Sequence, residues 1–160
     1  MEILTNGLAW AILGAGMAVI VTGLGSSKGV SMVGQAAGAV IIDDPSKFGP
    51  LLLLQALPGT QGIYGLLAAF LVLLQTGVIG GGAGNISFVT GIMFFLACLP
   101  ITIIGYVSAI LQAKVAISGV HIVSKHPSEA AKGMTLAAMV ETYAVLALLV
   151  SVLIIMNIKL

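Results

Sequence analysis

Charge is what this chain has least of. Of its 160 residues only 7% are Asp, Glu, Lys or Arg, against 59% hydrophobic, and the mean hydropathy is +1.21. Soluble domains run at roughly 25% charged, so this sequence cannot furnish a water-exposed surface and the chain belongs in a membrane. Arginine is absent: the six basic residues are all lysine and the net charge is +1. Without clustered cations to neutralise phosphates, nucleic-acid binding is excluded. A single cysteine, Cys98, permits neither an intrachain disulfide nor a thiolate metal site. The phosphate loop G-x-x-x-x-G-K-[ST] is missing too, so ATP is not hydrolysed at such a site in this chain.

What is present is a set of long uncharged runs. A bilayer core about 30 Å thick takes roughly 20 apolar residues per helix. No charge lies between Glu2 and Lys28, 66 uncharged residues separate Lys47 from Lys114, and from Gly133 to Ile158 the one charge is Glu141. The 66-residue run is long enough for two helices parted at Gly80-Gly81-Gly82-Ala83-Gly84-Asn85, a sequence suited to a turn. The fold class is therefore an all-α membrane protein with four transmembrane helices. They form two helical hairpins, residues 1–79 and 80–160.

Polar turns at Ile42–Lys47 and Ser124–Glu129 each place a proline where a new helix would start. Lys28, Lys47, Lys114, Lys125 and Lys132 stand nearer these turns, and Lys159 alone stands near the other end. The positive-inside bias then puts both polar turns in the cytoplasm, with the Gly-rich turn and both termini outside. Glu2 occupies a segment where a signal peptide needs basic residues, so the first span is expected to be retained. Lys28 and Lys114 are expected to snorkel to the cytoplasmic headgroups, His121 and His126 to be solvated near the turn, and Trp10 and Lys159 to anchor at interfaces. Two G-x-x-x-G spacings, Gly25 to Gly29 and Gly34 to Gly38, predict close helix packing.

The two hairpins resemble each other. Pro45-Ser46 matches Pro127-Ser128 at an offset of 82, which also sets Gly59-Thr60 beneath Glu141-Thr142. The segment around Lys28 matches that around Lys114 at an offset of 86, the difference of four being assigned to turn length. The chain is read as a tandem duplication of a two-helix unit, with one carboxylate serving four helices.

That carboxylate is the functional candidate, because the other acids, Glu2, Asp43, Asp44 and Glu129, all fall at a terminus or a polar turn. An ionisable group inside a span is costly and by default marks an ion or proton pathway. The competing readings are a neutral carboxyl tying helices together and a static ion pair with Lys114. Gln112 and Glu141 are equidistant from the second polar turn, each about 21 Å along its helix. Thr60 and Gln61 lie at a similar height past the first. Leu57, Thr60, Gln61 and Tyr64 share one helix face, and Pro58, with Gly59 and Gly62 beside it, leaves backbone oxygens open to a ligand. Every donor of this group is an oxygen, which suits a hard cation, and one negative charge neutralises a monovalent ion. A proton needs little more than the carboxyl, so the amide and hydroxyl oxygens favour Na+. A proton-carrying site is the alternative.

The motifs Leu57-Pro58-Gly59-Thr60-Gln61-Gly62-Ile63-Tyr64-Gly65, Gln112-Ala113-Lys114 and Met139-Val140-Glu141-Thr142-Tyr143-Ala144 resemble those of the proteolipid K subunits of bacterial V-type ATPases, most closely the sodium-translocating branch. The resemblance covers nearly the whole chain. It implies Na+ held by Glu141, Gln112, Thr60, Gln61 and the Leu57 carbonyl, with Tyr64 hydrogen-bonded to Glu141. It also implies a homo-oligomeric rotor ring in the plasma membrane that turns against a stator subunit supplying a basic residue and meets a central-stalk subunit on the cytoplasmic side. ATP hydrolysis then takes place in other subunits. A proton-translocating ring of this architecture and an independent small cation transporter or channel are the rival readings. Against the latter stand the missing polar substrate cavity and the parallel repeats, where many transporters use inverted ones.

Overall fold

The computed structural model describes residues 6–82 and 84–160. Reading Glu2 as evidence for a retained first span, and placing Ala83 in the Gly-rich turn, concern residues outside those described. The described chain is a succession of helices: α1 (Gly7–Asp43), α2 (Phe48–Ala56), α3 (Thr60–Gln75), α4 (Phe88–Lys125) and α5 (Ala130–Asn157). Short 3-10 turns at Pro45–Lys47, Leu57–Gly59 and Pro127–Glu129 join them. Among the described residues, four stretches are long and apolar enough to span a bilayer: Gly7–Asp43, Pro45–Gln75, Phe88–Lys125 and Pro127–Asn157. At 37, 31, 38 and 31 residues, they run about 47–57 Å at 1.5 Å per residue, so each projects well beyond the hydrocarbon core.

Both polar turns are built as the prolines require. Pro45 and Pro127 each open a 3-10 turn, at a position where the missing N–H is no loss. Asp44 closes the first turn by accepting the Ser46 N–H at 3.1 Å and the Ser46 hydroxyl at 2.6 Å. Lys47 then reaches across, donating to the Ser124 carbonyl at the end of α4 at 2.9 Å while pairing with Asp44 at 3.4 Å. The two hairpins are thus tied together at their polar ends. At the far end the connection after α3 takes positive φ at Gly77, Gly80 and Gly81, conformations that a side chain would strain.

α1 and α4 form the most extensive contact, with α3 against α1 and α5 against α4. The core between them is made of small residues, and its largest side chains include Phe94, Leu51, Leu54 and Ile101. Backbone approaches explain the choice of residue. A Cβ on Gly25 would sit 2.8 Å from the Tyr106 Cα, and one on Gly133 would sit 2.7 Å from the Gly119 Cα. The second G-x-x-x-G spacing does not act this way: Gly34 faces the Gln55 side chain and Gly38 has nothing within 4 Å. Helix ends also correct the repeat. α1 and α4, at 37 and 38 residues, end 82 positions apart at Asp43 and Lys125, leaving no room for a four-residue slip. Under the uniform offset Lys114 stands over Met32, so its match with Lys28 is withdrawn.

Candidate ion-binding site

The site begins at the break in the second span. Pro58 has no N–H to offer the Leu54 carbonyl, and the chain tightens into a 3-10 turn over Leu57–Gly59 before α3 starts. The Leu57 carbonyl accepts the Thr60 N–H and, at 3.0 Å, the Thr60 hydroxyl. Gln61 Oε1 lies 3.3 Å from that hydroxyl. Three oxygens are thereby gathered within five consecutive residues. Gly59 has no side chain to cap α3. The Ser26 hydroxyl of α1 takes that role, accepting the Gly62 N–H at 2.8 Å.

From there the network crosses to the second hairpin. Gln61 is fully buried, and its Nε2 donates to Gln112 Oε1 at 2.6 Å and to the Ser108 hydroxyl at 3.4 Å. Gln112, also fully buried, donates from Nε2 to the Ala137 carbonyl at 3.2 Å and to Glu141 Oε2 at 3.4 Å. Tyr64 donates its hydroxyl proton to Glu141 Oε1 at 2.5 Å. No buried side-chain nitrogen or oxygen among the described residues lacks a partner. Glu141 itself is half-buried, with one side on a shallow groove lined by Ala138, Thr142, Val145 and Leu146.

The six residues singled out in the sequence, Leu57, Thr60, Gln61, Tyr64, Gln112 and Glu141, are therefore joined in one chain of contacts. The Gln112–Glu141 bond agrees with counting from the turn, which put these two at one height. Pro58 loosens the helix, but the Leu57 carbonyl is not left bare, since Thr60 engages it twice. Lys114 does not belong to this group. It is exposed, and the ion pairs found among the described residues are Lys47–Asp44 and Lys132–Glu129, so the static Glu141–Lys114 pair is discarded. His121 and His126 are exposed on the polar-turn side. Ser108 and the carbonyls of Ala137 and Val140 complete the surroundings, and the sequence did not single them out. Their roles depend on which way a serine hydroxyl and two amides point.

Comparison with known proteins decides the family. The family model for the ATP synthase C subunit matches residues 13–72 and, a second time, residues 95–154. The chain belongs to the ATP synthase C-subunit family. It is also 46% identical, over 152 residues, to the V-type sodium ATPase subunit K of Enterococcus hirae, an alignment covering 95% of this chain and 94% of that protein. To the A-type ATP synthase subunit K of Methanocaldococcus jannaschii it is 36% identical over 146 residues, covering 91% of this chain and 61% of that protein. The two family matches are displaced by 82 residues at both ends, the same offset as the polar turns and helix ends. Membership makes this chain a non-catalytic, ion-translocating membrane subunit of a rotary ATPase, a component of its rotor ring.

Proposed function

We propose that the chain carries Na+, bound one ion at a time at Glu141, in the rotor ring of a V-type ATPase. Gln112, Thr60, Gln61 and the Leu57 carbonyl supply the neutral oxygens that replace the ion's water, and Tyr64 orients the carboxylate. The observation that carries this reading is the joining of one carboxylate to four neutral oxygen donors within a single chain. A relative named as a sodium ATPase subunit, 46% identical, supports it. Both oxygens of Glu141 accept hydrogen bonds, from Tyr64 and from Gln112.

The mechanism follows from electrostatics. A carboxylate facing lipid is costly, whereas Glu141 with its ion is neutral and can be carried past the acyl chains as the ring turns. Where the ring meets the stator, a basic side chain of that neighbour competes for Glu141 and releases the ion into a water-filled passage. The central stalk, engaging the ring at its cytoplasmic polar turns, transmits rotation from the ATP-hydrolysing subunits. The lysine distribution supports cytoplasmic turns and external termini.

Carbodiimide labelling of Glu141 in the assembled complex tests the assignment. At fixed pH and ionic strength, Na+ is expected to slow labelling and K+ to leave it unchanged. Equal rates in the two salts would overturn the choice of Na+ and leave the proton-carrying ring.

A further inference from the structure

We infer that Ser108 is a positioning residue of the ion site: by holding the Gln61 amide in one orientation, it keeps the Gln61 oxygen turned toward the ion. The inference rests on the Na+ reading above. An amide's oxygen and nitrogen are nearly the same size, so packing alone does not decide which faces where. Hydrogen-bond polarity does, and here it originates in two groups that can only accept, the carbonyls of Ala137 and Val140 on α5.

Ser108 is buried on α4 and lies 3.2 Å from the Val140 carbonyl, to which it must give its single proton. It is thereby left with lone pairs alone for its other neighbour, at 3.4 Å, which must be a donor and therefore the Nε2 of Gln61. The Ala137 carbonyl acts in the same way on Gln112, fixing that amide's nitrogen toward α5 and its oxygen toward Gln61. Both hydrogens of Gln61 Nε2 are then committed, one to Gln112 and one to Ser108. Gln61 Oε1 has no alternative but the side occupied by Thr60. At the offset of 82 the counterpart of Ser108 is Ser26, which accepts a backbone N–H of the same α3 at 2.8 Å. Both serines are thus spent on holding the α3 end of the site, one through its backbone and the other through a side chain.

The test is Na+ protection of Glu141 against carbodiimide in the assembled complex, compared for the wild-type chain, Ser108→Ala and Ser108→Thr. Ser108→Ala is expected to need about tenfold more Na+ for half-protection, the order of one buried hydrogen bond left unmade. Its labelling rate without Na+ and its ring assembly are expected to stay as in wild type. Ser108→Thr, which keeps the hydroxyl, is expected to restore the wild-type concentration. Were the alanine variant not to assemble, Ser108→Cys, a much weaker acceptor of similar size, carries the same expectation. Unchanged Na+ protection in Ser108→Ala, or an equal loss in Ser108→Thr, would overturn the positioning role while leaving the Na+ reading intact. Absence of Na+ protection in the wild-type chain would remove both.

Discussion

Position 59 in the first hairpin and position 141 in the second are equivalent, 82 residues apart, yet one holds a hydrogen and the other a carboxylate. The same offset sets Val30 under Gln112 and Pro58 under Val140, and it pairs Ser26 with Ser108. The hairpins have divided the work. The first gives up a regular helix at Pro58 and contributes neutral oxygens from the resulting turn. The second keeps α5 unbroken past Glu141 and contributes the charge, with Gln112 beside it. What the first hairpin has at its own equivalent of the carboxylate site is apolar: a Cβ at Gly59 would meet Val30 Cγ2 at 3.6 Å. Duplication gave two copies of a scaffold, and only the pair together makes the proposed ligand set.

The sharpest way to break this comparison is to make the second hairpin like the first. Glu141→Gln removes the charge and is expected to weaken Na+ binding by more than about a hundredfold, as for a buried ion pair that loses one partner. The ring should remain assembled. Equilibrium binding of radioactive Na+ to the purified complex measures it, and retained high-affinity binding would refute the ligand set. A smaller loss, about tenfold or somewhat more, is expected for Gln112→Leu, which imitates the valine of the first copy and leaves the Gln61 amide short of its 2.6 Å acceptor.

The converse change asks whether a carboxylate alone makes a site. Gly59→Glu meets only ordinary contact at its Cβ, so the backbone there accepts a side chain, but Val30 offers it no hydrogen bond. The bound Na+ is expected to stay at one per chain, and a stoichiometry of two would show that the halves are more alike than their side chains suggest. The smallest effect lies at the turns. Asp44 is held below its ordinary carboxyl range chiefly by the Ser46 hydroxyl and N–H, whereas His126 at the equivalent position makes no side-chain cap. A lowered folded-state pKa stabilises above the ordinary value, and that contribution is lost as pH falls below about 4 through the folded-state value. Asp44→Asn should therefore flatten the acid limb of a thermal-stability profile, while substitution of His126 should leave that limb alone.

Much of this was legible because charge is so sparse. Glu141 stands out against an uncharged background, the prolines mark both polar turns, and antiparallel counting from a turn is sound when the helices are long and regular, as with Gln112 and Glu141. Ser108 was not legible for a physical reason. A hydroxyl in an apolar helix ordinarily bonds the carbonyl four residues back, as Thr22, Thr76 and Thr102 do here at 2.7–2.8 Å. Ser108 departs from that habit only because Val140 and Gln61 lie beside it in space, and nothing local records this. The misplaced match of Lys28 with Lys114 arose because polar landmarks dominate a comparison of apolar helices. The glycines of the second G-x-x-x-G misled because spacing does not say which face meets a neighbour.

The lone carboxylate also has a mechanical consequence. The circumference of a ring is set by how many helices stand in it, whereas the cargo per revolution is set by how many of its protomers carry a charge. With Gly59 silent, and one ion carried per Glu141 as proposed, each ion in a ring of these chains would occupy the arc of four helices where an unsilenced duplicate would give it the arc of two. Such a rotor is geared low. It moves fewer ions per turn, and a fixed energy input per turn is shared among fewer of them, so each can be driven against a steeper gradient.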